Sequence, residues 1–417
     1  MGVDEMTYKV LICDDHEDDE QEWVKEVQSV VPQDSFEVVG ASSLQCDLDR
    51  PTVTDLKNSI DELLRRRDFL RNNPTSDLEK NDSVFDSTDV LILDYDLVHF
   101  DNTRTRHTGE ELARLARTFS NCGVIVVINQ YRDIQFDLTL RGHISSYADL
   151  NLDASLLPTK GLWQNPPWSG FRPWAWISIS NAVELQRARQ NFVRERFSCR
   201  ILDEIGMRTE DVRLMSDSAF EFIFPNQGDL DSLAELTFEQ FPQEQVSDLD
   251  ARAVGKHEPD FAAGFIGARI GKWLEREVLG SQDVLVDVPH LIERYPFLLG
   301  EDFNFNDLEA WTTAVHDFDT IKEQIPDVCW FKHPEILSRP AVWRHRFEAT
   351  EDIVEKSYSF EYEKVPAYVF QEDVSQFGRL EDSREFRAGY HNAFDSRHVR
   401  VLEGIRYTPQ RRFALRE

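Results

Sequence analysis

Cysteine is scarce in this chain: five residues among 417, at positions 13, 46, 122, 199 and 329, with no CxxC pair. An odd, scattered set in a chain of this size argues against a disulfide framework, so the thiols are expected to be reduced and mostly buried. Long apolar runs are missing too. No stretch approaches the roughly 20 consecutive apolar residues that a membrane helix needs. The opening "MGVDEMTYKV" has neither the basic nor the apolar region of a secretory signal, so a cytoplasmic protein without a membrane partner is expected. Positive charge is in deficit, with 46 Lys and Arg against 77 Asp and Glu and a net charge of −31. Such a field repels polyanions and disfavours nucleic acid as a partner, whereas basic protein surfaces and divalent cations suit it. No P-loop, GxSxG elbow or HExxH motif occurs. "GFIGARIG" (264–271) has spaced glycines but follows no apolar strand, so close helix packing explains it better than a dinucleotide site. "CWFKH" offers Cys329 and His333 without a second pair at zinc spacing, and reads as a buried thiol and an ordinary histidine. The protein is therefore not expected to be an enzyme, with an activity in the carboxyl-terminal half left open.

What is present is material for sizeable cores: 28 Phe and 9 Trp in a chain long enough for two or three domains. "YKVLIC" (8–13), "FEVVGA" (36–41), "VLILDYDL" (90–97) and "GVIVVIN" (123–129) read as strands, and "YADLNL" (147–152) as a weaker one. Between them "EQEWVKEVQSVV", "TDLKNSIDELLRRRDFLRN" (54–72, capped by Thr54 or Asp55) and "GEELARLARTF" have helical spacing, with Leu112, Leu115 and Phe119 on one face of the last. Apolar strands without polar alternation, interleaved with helices, predict a doubly wound parallel sheet covered on both faces.

In such sheets ligands bind beyond the carboxyl ends of the strands. Two strands end there in acid: Cys13 gives way to Asp14 and Asp15, and Leu93 to Asp94, which is expected at an exposed rim. Carboxylates that converge need a divalent metal or a shared proton, and Mg²⁺ matches hard oxygen ligands. A carboxylate beside Mg²⁺ can also act as a nucleophile towards phosphorus. "DDHEDDE" alone reads equally well as a helix cap with a solvated face.

The four segments "VLICDD", "DVLILDYDL", "HTGEELARLAR" and "GVIVVINQY" resemble the receiver domain of two-component response regulators. The resemblance covers residues 8 to about 155 and reaches at most residue 197. It implies a five-stranded, flavodoxin-like α/β domain with Asp94 as phosphoacceptor, Asp14 and Asp15 as Mg²⁺ carboxylates and Asp96 lending a backbone carbonyl. Asn129 stands where the family has Ser or Thr, and its amide can still donate to a phosphoryl oxygen. The family's Lys after the fifth strand is replaced by Asp153, a change of sign; Lys160, in "LLPTKGL", would supply the cation if the register or the loop allows. Arg104, Arg106 and His107, in the segment after the acceptor, read as a solvated loop or as cations over the site.

Beyond residue 160 the character changes. "GLWQNPPWSGFRPWAW" (161–176) is expected to pack between domains rather than dock a partner, and a helix is predicted to end near residue 197. Residues 198–417 are expected to form a mainly helical α+β domain, with helices at "FAAGFIGARIGKWLEREVL" and "FNDLEAWTTAVHDF", and short strands at "AYVFQEDV" and "HVRVLEGIRYTP". The basic end, "RHVRVLEGIRYTPQRRFALRE", is expected to pair within the molecule. The resulting expectation is a response regulator with a receiver at 1–197 and an output or interaction domain at 198–417. It would take a phosphoryl group from a histidine kinase or phosphotransfer protein and act on an effector protein, in a stress or phage-defence setting, with self-association left open. The alternative is a pseudo-receiver, no longer phosphorylated, serving as a structural adaptor.

Overall fold

The computed structural model describes residues 7–44, 56–72, 83–97, 107–129, 146–164, 170–171, 174, 178–223, 230–241, 259–300, 308, 319–362, 367–386 and 396–402. The chain divides into two compact units that interleave along the sequence, where a single division near residue 197 is expected. The first comprises residues 1–164, 178–199 and 237–272; the second comprises 165–177, 200–236 and 273–417. No helix among the described residues is long and apolar enough to cross a membrane.

The first unit is α/β. Its sheet contains β1 (Tyr8–Cys13), β2 (Phe36–Gly40), β3 (Val90–Asp94), β4 (Val124–Asn129) and β5 (Leu150–Asp153), all parallel and ordered 2-1-3-4-5. This is the doubly wound order of flavodoxin-like sheets. Val90–Leu93 and Val124–Ile128 are buried throughout, as a central strand covered on both faces requires. The helices are α1 (Glu17–Val30), α2 (Leu56–Asn72), α3 (Gly109–Phe119), α4 (Ile179–Glu195) and α5 (Pro259–Trp273), of which the first unit holds the part up to Lys272. In α3 the predicted face, Leu112, Leu115 and Phe119, is buried, and Thr108 caps the start by accepting from the Glu111 N–H.

α5 carries the spaced glycines. A Cβ on Gly267 would lie 3.0 Å from the backbone carbon of Arg189, so α4 and α5 approach too closely there for a side chain. The seam is closed by the Gln186 amide donating to Gly264 O at 3.0 Å and Gln190 donating to Asp260 O at 3.0 Å. The glycines thus serve helix packing. Gly267→Leu is expected to cost about 1–3 kcal/mol through overpacking, read as a lower denaturant midpoint. An unchanged midpoint would mean that the seam yields freely.

The second unit pairs β6 (Leu285–Asp287) with β7 (Ala341–Trp343) and builds a mixed sheet from β8 (Tyr368–Gln371), β9 (Gln376–Arg379), β10 (Arg384–Phe386) and β11 (Arg397–Val399), ordered 9-8-11-10. Helices Val288–Arg294 and Glu351–Ser359 contribute Leu291, Ile292 and Ile353 to a core with Val286, Val342, Phe347, Phe370 and Phe377. β8 falls in the expected strand segment "AYVFQEDV" and β11 overlaps "HVRVLEGIRYTP", while β6, β7, β9 and β10 are strands that the sequence reading does not name. The expected helix "FNDLEAWTTAVHDF" lies outside the described residues apart from Leu308. Arg104, Arg106, Trp168, Trp176 and the basic end beyond residue 402 lie outside them as well.

Candidate functional site: an acidic cluster at the strand ends

Parallel register builds the cluster. Cys13 of β1 pairs with Leu93 of β3, so the next residues, Asp14 and Asp94, leave adjacent strands side by side. One oxygen from each of Asp14, Asp15 and Asp94 lies within 4.8 Å of the others. Asp94 is not at an exposed rim, as its position in the sequence suggests, but 7% exposed, and Asp14 is 5% exposed. The backbone is closely packed here: Gly109 lies so close to the carbonyl of Asp94 that a Cβ there would overlap it. The Gly109 N–H donates to Tyr95 O at 2.9 Å, and the Tyr95 N–H to Ile128 O at 2.9 Å, which fixes the turn after the strand.

The electrostatics follow from this burial. Desolvation, with the Asp14 charge next in importance, raises the Asp94 pKa to about 7, although the backbone N–H groups of Asp96 and Tyr95 lower it. Burial also raises Asp14, against a hydrogen bond from the His16 N–H to its Oδ1 at 2.9 Å. The other Asp14 oxygen, Oδ2, is buried and has no hydrogen-bond partner; the Trp23 indole N–H acts weakly on this carboxylate without reaching hydrogen-bond geometry. A buried carboxylate oxygen left unpaired is costly, and a divalent cation is the partner that satisfies it together with its two neighbours. Asp14, Asp15 and Asp94 are thus residues that could hold a divalent metal ion.

The remaining predicted site residues are placed as follows. Asp96 directs its backbone N–H at Asp94 Oδ2 (3.0 Å), while its side chain is exposed and stands outside the converging group. Asn129 ends β4 opposite Asp153 at the end of β5. Asp153 turns to its own chain, accepting from the Ser155 N–H at 3.0 Å, and does not join the converging carboxylates as a fourth member. Lys160 is exposed at the start of a single helical turn, Lys160–Trp163, and makes no ion pair among the described residues. His107 begins a two-residue ribbon pairing with Leu97.

The helix-cap reading of "DDHEDDE" holds for one half of it. Glu17, Asp18, Asp19 and Glu20 occupy the first turn of α1, where the helix dipole favours them, but the N-cap is His16 without a side-chain cap bond. Asp14 and Asp15 precede the helix and face the site. His16 and Asp19 were not singled out by the sequence, yet with Asp14 they form a second converging group; three-residue spacing at a helix start is the signal that finds them.

Two other polar clusters are paired internally. A cavity of about 160 Å³ at the amino ends of β3 and β4 is lined by Asp86, Asp89, Arg117 and Arg187, but Arg187 pairs with Asp89 at 2.6 Å and Arg117 with Asp149. In the second unit, His290 Nδ1 meets Asp287 Oδ1 at 2.6 Å and its Nε2 meets Glu372 Oε1 at 3.3 Å. Arg397 pairs with Glu372, and the Trp174 indole donates to Asp287. Among the described residues His290 hydrogen-bonds no hydroxyl or thiol, so this group has no nucleophile and reads as a buried ion network. Cys329, also buried, contacts Thr350 at 3.6 Å and belongs to no converging metal group among the described residues. Trp163 is buried in the first unit, donating to Leu157 O at 2.7 Å, and Trp174 in the second, so neither serves as an exposed docking anchor. No known family model and no curated protein matches the chain.

Proposed function

We propose that the first unit is a receiver that accepts a phosphoryl group on Asp94. The observation that supports this is the meeting of Asp14, Asp15 and Asp94 at the carboxyl ends of adjacent parallel strands, with a buried, unpartnered oxygen among them. An ionised Asp94 oxygen would attack the phosphorus of a phosphohistidine, forming the P–O bond as the P–N bond breaks and the imidazole leaves with a proton. Burial and Asp14 keep Asp94 protonated up to about pH 7, so the attacking form has to be released from that proton. A bound Mg²⁺ would supply the compensating positive charge for the carboxylates and for the transferring group. Asn129, at the end of β4, would donate from its amide to a phosphoryl oxygen. The ribbon formed by Asp96–Leu97 and His107–Thr108, tied to Asp94 through the Asp96 N–H, is the segment whose order would change with charge at Asp94, presenting an altered surface to an effector protein.

A second reading, a pseudo-receiver that binds a cation and acts as an adaptor, is favoured by Asp153 standing opposite Asn129 where a cationic side chain would assist the phosphate. Beryllofluoride with Mg²⁺ separates the two. A rise in thermal midpoint of several degrees in the wild type, absent in Asp94→Asn, together with a phosphoryl mass gain from acetyl phosphate, is the result expected of a receiver. Stabilisation by Mg²⁺ alone, without further response to beryllofluoride, selects the adaptor.

A further inference from the structure

The first turn of α3 is tied to the Asp94 turn on one side and to α5 on the other. Towards Asp94, the Asp96 N–H donates to Oδ2 at 3.0 Å, and Asp96 pairs with Thr108 across the two-residue ribbon. Thr108 is in turn the N-cap of α3, so the ribbon ends where the helix begins. Two residues on, Glu110 accepts from Ser146 Oγ with both carboxylate oxygens at 2.9 Å and from the Asn151 amide at 2.7 Å. Ser146 is fully buried. Its carbonyl oxygen accepts from the Lys272 ammonium at 2.8 Å and from the Arg269 guanidinium at 3.1 Å, and the ammonium also donates to Ala148 O at 2.7 Å. Both cations are buried on α5, Arg269 at 6% and Lys272 at 8% exposure. All of these residues belong to the first unit.

We infer that Glu110, acting through Ser146, is a positioning residue that couples the state of Asp94 to the hold of α5 on the first unit. This rests on the reading of Asp94 as phosphoacceptor. Carbonyl dipoles offset only part of the cost of burying two full positive charges. The Glu110 carboxylate supplies negative charge opposite Lys272, so the seat of α5 depends on where Glu110 stands. That position is set by the start of α3, which has little freedom to move independently of the Asp94 turn. The Gly109 N–H bonds Tyr95 O at 2.9 Å, and a Cβ on Gly109 would overlap the Asp94 carbonyl. A group added to Asp94 competes for the Asp96 N–H and shifts the ribbon, and the Thr108 cap shifts with it. Glu110 then withdraws from Ser146, and α5 loosens. Lys272 is also the last residue before the chain enters the second unit at Trp273, so the change passes along α5 towards that unit.

Amide hydrogen exchange of the full chain in Mg²⁺, with and without beryllofluoride, tests the coupling when read by mass spectrometry on peptides from α5. In the wild type, beryllofluoride should speed α5 exchange about fivefold or more, the lower end of usual coupling between sites. Glu110→Gln keeps the side-chain shape and removes the charge. Its α5 should exchange faster from the outset, and beryllofluoride should then change the rate by less than about twofold. The beryllofluoride-induced rise in thermal midpoint should persist, because the Asp94 site is untouched. Ser146→Ala removes the hydroxyl that joins Glu110 to the segment on which α5 rests, and should lose the response in the same way. A purely structural role would raise the starting rate and leave the full beryllofluoride increment. That result in either variant, or a wild-type α5 whose exchange is unchanged or slowed, overturns the coupling while the receiver reading stands. If beryllofluoride leaves the wild-type midpoint unmoved, both readings fall.

Discussion

Asp94→Asn is expected to make the cation-free protein more stable at pH 8, although it removes the residue on which the proposed function depends. The Asp94 pKa stands at about 7 in the folded chain against an ordinary value of 3.8. Below about pH 4 the carboxyl is protonated in both folded and unfolded chains and imposes no penalty. As pH rises towards 7 the unfolded chain gives up the proton while the folded chain retains it, so folding stability falls with pH. Above 7 the loss is complete. Three pH units correspond to about 4 kcal/mol, and relaxation around the site leaves about 2–4 kcal/mol. Asparagine has nearly the same shape, cannot ionise, and can donate from its amide to a neighbouring carboxylate. Denaturant unfolding in chelator at pH 5 and pH 8 reads the effect: the unfolded carboxyl is already ionised at pH 5, so the gain from Asp94→Asn should be larger at pH 8 by about three fifths of that amount, about 1–2.5 kcal/mol. Saturating Mg²⁺ should reverse the ranking at pH 8 by stabilising only the wild type. Equal stabilities at both pH values would mean that Asp94 is hydrated and ionises normally, and the account of the cluster would fail with it.

That the first unit could be read so far from sequence has a physical cause. A strand covered on both faces has no room for polar alternation, so "VLILD" and "VIVVIN" announce parallel sheet, and an aspartate after such a strand has to emerge at the carboxyl edge, where ligands bind. The depth at which it emerges is another matter. Whether Asp94 is exposed depends on what packs over the strand end in three dimensions, and no local pattern in the sequence carries that. The return of residues 237–272 to the first unit was hidden for a similar reason, since "PDFAAGFIGARIGKW" is apolar on nearly every side and identifies a buried helix without naming the core that receives it. His16 sits in plain view within "DDHEDDE"; its pairing with Asp19 needs the helix start to be fixed at residue 17.

The ion network of the second unit was the least legible, because Trp174, Asp287, His290, Glu372 and Arg397 come from segments as much as 223 residues apart. It also carries the largest expected loss. Glu372 is 0% exposed, and its charge is held by Arg397 and by His290 Nε2 at 3.3 Å. Burial by itself would raise the Glu372 pKa, but Arg397, followed by the hydrogen bond to His290, holds it below the ordinary value. Arg397 also donates to Gly280 O at 3.1 Å and lies over the Trp174 ring, 4.7 Å from its centroid. Arg397→Met keeps most of the side-chain volume but leaves a dry carboxylate facing one imidazole, and a broken buried pair costs about 3–5 kcal/mol. Arg397→Met combined with Glu372→Gln should recover at least about 1 kcal/mol of the summed single losses, because the stranded charge is gone. The network sets a pH limit as well. Burial would lower His290, but the Asp287 carboxylate outweighs it and the pKa stands at about 9 against 6.5. Its contribution is therefore complete below about pH 6.5 and is lost as pH rises through 9. Unfolding free energies measured from pH 6 to pH 10 should decline steeply in the wild type and much less in His290→Gln. A flat wild-type profile, or strictly additive losses for the Arg397 and Glu372 variants, would show that these groups do not act as one ionic unit.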